Sequence, residues 1–110
     1  MGDELITWLQ NWYAAQCDGD WEHAYGVQID TLDNPGWYVI IGLADTPLAG
    51  ATFQPVDENR SEDNWVDCRL VEEHPYGDTV GGPYFRGFGG PHNLSEILHI
   101  FREWVIQQEN

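Results

Sequence analysis

The chain has 110 residues, enough for one modest hydrophobic core, and we predict a single domain over residues 1–110. Nineteen Asp and Glu residues face four basic residues, all of them Arg, so the formal net charge is −15. This balance argues against nucleic acid and anionic membranes as partners, because both are bound through cationic side chains. It favours either a protein partner with a basic surface or a role of the charge in solubility alone.

The start of the chain predicts no targeting segment. Its first residues, MGDELITWLQNW, lack the basic and apolar regions of a signal peptide. No apolar run approaches the roughly 18 residues of a membrane span. Two cysteines, Cys17 and Cys68, are too few for a disulfide framework. We therefore expect a cytoplasmic protein with free thiols.

The spacing of apolar residues predicts a helix near each end of the chain. Residues 4–16 carry apolar side chains at i, i+3 and i+4 along one face. Asn93 begins a second helix, which carries a similar apolar stripe and continues to about Gln108. Each stripe predicts a helix that packs on a sheet.

Between the helices, short apolar runs predict strands. We predict strands over residues 24–32 and 37–43, joined by a type II turn with Pro35 and Gly36 at its central positions. The second run, WYVIIGL, is apolar on both faces, which predicts a strand covered on both sides.

The pattern is weaker in the second half of the chain. We predict a short edge strand over residues 51–56, a polar loop over 57–64, a half-exposed strand over 64–73 and a last short strand over 84–88. Short turns between consecutive strands favour antiparallel pairing. The predicted fold is α+β, with an antiparallel sheet of four to five strands flanked by an N-terminal and a C-terminal helix.

The segment CDGDWEH, residues 17–23, combines a thiol, carboxylates, an imidazole and an indole. Its Asp18-Gly19-Asp20 begins like an EF-hand calcium loop. That loop needs Gly at its sixth position and Glu at its twelfth, where this chain has His23 and Ile29. The calcium template therefore fails.

Zinc is the second chemistry considered for this segment. Cys17 and His23 have nearly the same separation as Cys68 and His74, and the four side chains could form a Cys2His2 set in space. The spacings typical of such sites, C-x-x-C and H-x-x-x-H, are absent. Cys68 also suits a core position as a small apolar side chain. We predict no metal site and no cofactor.

Catalysis is the alternative to a binding role. Asp20, Glu22 and His23 could serve a small hydrolase, since paired carboxylates and an imidazole perform general acid and base catalysis. Adjacent acids in a turn are usually solvated, and a sheet this small has limited room for a deep pocket. A third alternative is a small-ligand module that uses exposed aromatic side chains.

The long stretch CDGDWEHAYGVQIDTLDNPGW, residues 17–37, resembles the signature of the immunity protein 53 family. The blocks WLQNWYAAQ, NWVDCRL, FGGPHNLSEIL and FREWV also fit this family, as do Thr46 and Leu48, so the resemblance covers nearly the whole chain. The family occurs in bacterial polymorphic-toxin systems. The resemblance implies a protein that binds and neutralises a cognate toxin domain and has no catalytic activity.

A nuclease toxin would suit an acidic inhibitor, because a nuclease is usually basic and acidic side chains can occupy its phosphate site. We expect the toxin-facing surface to include the acidic segment after the first helix and the turn between the first two strands. The alternative is that these acids only shape the chain and that Trp21 anchors the segment in the core. The predicted partner-binding residues are Asp18, Asp20, Trp21, Glu22, His23, Asp33 and Asn34.

Overall fold

The computed structural model describes residues 2–77 and 81–109. The elements within these ranges are α1 (Gly2–Gln16), α2 (Trp21–Ala24), β1 (Val27–Leu32), β2 (Gly36–Gly42), β3 (Val56–Ser61), β4 (Asn64–Val71), β5 (Tyr84–Gly89) and α3 (Leu94–Glu109). The predicted α+β class, with a helix near each end, is confirmed. No helix among the described residues combines the length and the apolarity that a bilayer crossing requires.

The strands form one antiparallel sheet in the order β1-β2-β5-β4-β3. β1 with β2 and β3 with β4 are hairpins of consecutive strands. β5, the last strand in the chain, lies between the two hairpins and pairs with β2 and β4. The sheet is therefore complete only when the C-terminal part of the chain joins both hairpins.

The first hairpin has a different turn from the predicted one. Gly36 is the first residue of β2 and pairs with Leu32, so residues 33–35 make the turn. Gly36 lacks the positive φ that a type II turn requires. A Cβ atom at Gly36 would instead clash with the carbonyl oxygen of Gly89 on β5. The predicted type II turn is wrong, and the glycine permits the close approach of two strands.

The sequence pattern also misplaces β3. The predicted strand over residues 51–56 mostly precedes it, and residues 57–61, predicted as loop, form most of it. After Val56 every residue of β3 is exposed, because the strand lies at the edge of the sheet. Its side chains need no apolar alternation, and pairing with β4 defines the strand instead.

Both long helices lie on one face of the sheet, which we call the helix face. α3 packs on β2, β4 and β5, and α1 packs on α3. Phe101 of α3 stacks edge-on against Trp12 of α1, with ring centroids 5.1 Å apart. Ile97 sits over Gly87, where a Cβ atom would clash with its side chain. The buried side chains of this face include Val39, Ile41, Val66, Cys68, Phe85, Ile97, Phe101 and Trp104.

The segment between β2 and β3 closes the same face. Phe53 packs against Phe85 and Trp104, with ring centroids 5.6 and 5.2 Å apart. Trp104 Nε1 donates a hydrogen bond to the carbonyl oxygen of Thr52 at 2.8 Å. This bond anchors a segment without regular structure to α3.

The opposite face of the sheet is covered only in part. Ile40 is buried on this side, as the apolar run of β2 predicts, whereas Tyr38 stays partly exposed. Residues 72–77, between β4 and β5, lie over one region of it. His74 Nε2 and Gln28 Oε1 share a hydrogen bond of 2.8 Å. Because His74 Nδ1 accepts a hydrogen bond from the Tyr76 N–H at 3.0 Å, Nε2 carries the ring proton.

Candidate functional site

Residues 17–24, which we call the acidic turn, connect α1 to β1 through a network of local hydrogen bonds. Asp18 Oδ1 accepts hydrogen bonds from the backbone N–H groups of Asp20 and Trp21, both at 2.9 Å. The N–H groups of Trp21 and Asp20 stabilise the charged carboxylate, so the pKa of Asp18 lies below its usual value. The Asp18 side chain therefore shapes the turn.

Glu22 completes the network from the other side. Its two carboxylate oxygens accept hydrogen bonds from the N–H groups of Asp18 at 2.9 Å and Gly19 at 2.8 Å. Its own N–H group and these two lower the pKa of Glu22. A catalytic acid that works near neutral pH needs a raised pKa. The hydrolase alternative, which uses Glu22 with Asp20 and His23, gains no support from the Glu22 carboxylate.

Trp21 holds the acidic turn against α1. Its side chain is 1% exposed, and its ring lies edge-on to Trp12 with centroids 6.0 Å apart. Tyr13 packs on the same indole at 5.7 Å. Asp20 and His23 are exposed, and Asp20 makes no side-chain cap to α2. In this conformation, Asp20 and His23 are accessible to a partner, and the buried Trp21 fixes the position of the turn that carries them.

The structure separates the two halves of the predicted partner-binding set. The acidic turn precedes β1, whereas Asp33 and Asn34 follow β1 and are exposed in the β1–β2 turn. β1 has 6 residues. At about 3.3 Å per residue, the two groups lie roughly 20 Å apart. One partner can touch both groups, but one pocket cannot hold them.

The Cys and His side chains of the zinc hypothesis do not lie together. Cys68 is on the helix face, where burial raises the pKa of its thiol to about 12. His74 lies over the opposite face, with its ring 5.4 Å from that of Tyr84. Both cysteines are free thiols, and the Cys17 Sγ lies 3.4 Å from the Tyr13 carbonyl oxygen. Within residues 2–77 and 81–109, no group of three or more His, Cys, Asp or Glu side chains could hold a metal ion.

The sheet offers a second candidate surface on the side opposite the helices. The register places Asp30, Tyr38, Phe88, Asp67 and Asp57 next to one another in one row across the sheet. With strands about 4.8 Å apart, this row is roughly 20 Å long. Aromatic rings occupy its centre and carboxylates occupy both ends. We define the open face as this row together with the adjoining side chains of Trp65, Arg69, Tyr76 and Arg86.

The centre of the open face is a small aromatic cluster. The Tyr76 ring lies 4.9 Å from the Tyr38 ring and 6.2 Å from the Phe88 ring, and Tyr76 remains 56% exposed. The Arg86 guanidinium lies 4.5 Å from the centroid of the Phe88 ring, in cation–π contact. Burial, followed by the charge of Asp30, raises the pKa of Tyr38. Tyr and Arg are the residue types that dominate binding energy at protein interfaces.

The charges of the open face are balanced at its centre. Asp67 Oδ1 accepts a hydrogen bond from Arg69 Nε at 2.9 Å. Arg86 Nη2 lies 2.9 Å from the same oxygen as an ion pair, although without hydrogen-bond geometry. Asp57 stands directly opposite Asp67 in the ladder, an unfavourable pairing of like charges.

Exposed carboxylates border this balanced centre. Each of the chain's Arg residues pairs with one of its own carboxylates. The remaining surface charge is therefore strongly negative. Acidic residues exposed on the edges and turns that border the open face are Asp30, Asp33, Glu62, Asp63, Glu72 and Glu73.

Sequence reasoning missed the open face because its row joins residues from five separate strands. A local signal existed in β5, where Arg86 and Phe88 share a face by strand periodicity. Tyr38 reaches Phe88 only because β5 pairs with β2. Asp57 joins the row through β3, which the pattern predicted as a loop.

Comparison with known proteins adds independent evidence. A family model described as Immunity protein 53 matches residues 6–106. This range contains the acidic turn and the open face in full. No significant match was found among curated proteins or among solved structures. The resemblance seen in CDGDWEHAYGVQIDTLDNPGW is confirmed, and the chain belongs to the immunity protein 53 family.

Proposed function

We propose that this protein binds a cognate bacterial toxin domain and neutralises it, without catalysing a reaction itself. The observation that carries the proposal is the family match over residues 6–106, because an immunity protein protects a cell from a toxin.

We propose further that the toxin is basic, as a nuclease would be. The net charge of −15 supports this, together with the pairing of every Arg by a carboxylate of the same chain. Opposite charges steer two proteins together and speed their association. Since nucleic acid is the substrate of a nuclease, we propose the cytoplasm as the place of action.

The acidic turn remains a proposed part of the toxin-facing surface. Asp20 and His23 are its exposed members, and Asp33 and Asn34 form a second exposed group at the far end of β1. Asp18, Glu22 and Trp21 contribute by holding the turn in place.

The test is co-expression with the C-terminal domain of the toxin encoded immediately upstream in the source genome. We expect the toxin domain alone to stop growth, co-expression to restore growth, and the two proteins to elute as one complex in size-exclusion chromatography. An unrelated toxin domain is the control and should not be neutralised. Growth arrest despite co-expression, with separate elution, would contradict the proposal.

A further inference from the structure

We propose that the open face is the surface that seats the toxin domain. This inference rests on the proposed function. The aromatic cluster of Tyr38, Tyr76 and Phe88 forms the apolar centre of the contact. Asp30 and Asp57, at the two ends of the row, receive Lys or Arg side chains of the toxin. The partner is therefore a protein with a basic surface that has an uncharged centre.

Among residues 2–77 and 81–109, this face lacks the cover that the other face has. α1, α3 and the segment between β2 and β3 all pack on the helix face. On the open face, residues 72–77 cover one region only, and Tyr38 and Phe88 stay partly exposed. An aromatic surface left open on a stable sheet is typical of a protein-binding site.

The exposed ring of Tyr76 is held in place. It packs on Tyr38 and Phe88, and its N–H group donates to His74 Nδ1 at 3.0 Å. His74 is bonded in turn to Gln28 of β1 at 2.8 Å. A side chain already ordered in the free protein loses little entropy on binding. Tyr76 therefore meets the requirements of an interface anchor.

The charges at the two ends of the row also favour a basic partner. None of the ion pairs found in the described part of the chain includes Asp30 or Asp57. Asp67 forms ion pairs with Arg69 and Arg86, whereas Asp57, directly opposite it in the ladder, takes part in none of those pairs. A cationic side chain from the toxin would give Asp57 such a partner. Asp30, at the other end of the row, stands opposite Tyr38 and can receive a second cation.

The size and arrangement of the open face suit a protein partner. Five strands about 4.8 Å apart and about six residues long give a face of roughly 20 by 20 Å. The acidic turns around it extend this area toward the roughly 800 Å² that each partner buries in a typical complex. An apolar and arginine-rich centre inside a charged rim is the usual anatomy of such interfaces.

The acidic turn is less well equipped to act as the main contact. Trp21 is 1% exposed and cannot serve as an anchor in this conformation. The carboxylates of Asp18 and Glu22 accept hydrogen bonds from their own backbone. Asp20 and His23 remain for a partner, and they make a small polar contact without an apolar centre.

The experiment measures the affinity for the purified toxin domain encoded upstream. The open-face variants are Tyr76→Ala and Asp57→Lys. Their matched controls are Ile6→Ala, which removes an apolar side chain of similar exposure from α1, and Glu103→Lys, which reverses an exposed charge on α3. We expect Kd to rise about 10-fold or more for each open-face variant and less than about 2-fold for each control.

Two further measurements keep the outcomes distinct. Melting temperatures show whether each variant is folded. Hydrogen exchange on the unmodified complex should show toxin-dependent protection of residues 74–77 and of β1, and it needs no variant. An Asp20→Lys variant tests the acidic turn in the same binding assay.

The outcomes separate the two proposals. If the unmodified protein does not bind the toxin domain, both proposals are wrong. If it binds, and the open-face variants bind equally well while Asp20→Lys weakens binding, the proposed function stands and the open face is overturned in favour of the acidic turn. Loss of affinity confined to the open-face variants supports the inference.

Discussion

On the helix side of β5, Phe85 packs against Phe101 and Phe53, and Gly87 lies directly under Ile97. On the other side of the same strand, the Phe88 ring lies under the Arg86 guanidinium and beside Tyr76. The helix face is buried and closely packed, whereas the open face is aromatic, charged and partly exposed. Alternate residues of one strand thus belong to the core and to the proposed binding surface, so substitutions on β5 can separate stability from the proposed binding.

The largest expected effect comes from truncating one ring on each face. Phe85→Ala should lower the free energy of unfolding by about 3–5 kcal/mol, because it removes a fully buried ring from the core. Phe88→Ala should cost less, about 1–2 kcal/mol, because that ring is partly exposed. Urea unfolding, with similar m-values, measures both. Equal losses would contradict the contrast between the two faces.

A second substitution tests how closely α3 lies on the sheet. Gly87→Ala adds a methyl group that meets the Ile97 side chain, and we expect a loss of about 1–3 kcal/mol. The control is Gly50→Ala, since a Cβ atom at that position meets nothing within 4 Å. Its melting temperature should stay the same or rise slightly. In the double variant with Ile97→Ala, the total loss should be smaller than the sum of the single losses.

On the open face, the charge pairs predict changes of opposite sign. Asp67→Asn removes the carboxylate that faces Arg69 and Arg86, and we expect a loss of about 1 kcal/mol, limited by solvent screening. Asp57→Asn removes the like charge opposite Asp67, so stability should rise slightly. Thermal unfolding at low and high salt measures both, and high salt should reduce both changes. A change in stability of the same sign for both variants would contradict this charge arrangement.

The smallest effect concerns pH and the ion pair between β3 and α3. The Arg60 guanidinium hydrogen-bonds the Glu96 carboxylate at 2.9 and 2.5 Å and lowers the pKa of Glu96 from its usual 4.5. This contribution is therefore present above about pH 4.5 and is lost as the pH falls through the lowered pKa. Both side chains are partly exposed, so the change is small. Below about pH 4.5, the free energy of unfolding of Glu96→Gln should fall less steeply with pH than that of the unmodified protein. An identical pH dependence of the two proteins would contradict this.

Local patterns were sufficient for the two long helices and most strands, and insufficient for the short helix α2 and for the order of strands in the sheet. The apolar stripes of α1 and α3 mark their buried sides, and the continuous apolar run of β2 marks a central strand. β3 escaped prediction because an exposed edge strand needs no apolar side chains. The position of β5 between the two hairpins was not predicted, because it depends on pairing between distant segments, which no local pattern encodes.

The same distinction holds for the candidate surfaces. The acidic turn is one continuous segment, so its chemistry was visible in the order of its residues, and the proposed anchoring by Trp21 agrees with its burial. The open face has no counterpart in any single segment. Asp57 and Tyr38 enter it only through the register of four strand pairs. Recognition surfaces on sheets are harder to predict for this reason.

The thiol of Cys68 is a natural reporter of motion in the helix layer. Its thiol is buried beside Gly87 on the helix face, and burial keeps it protonated by raising its pKa to about 12. A thiol reagent can reach it only when the helix layer opens, so its rate of modification reports how often that happens. In a Cys17→Ser variant, the rate of Cys68 modification can be measured with and without the proposed toxin domain. A lower rate with that domain would show that binding at the open face reduces the opening of the helix layer.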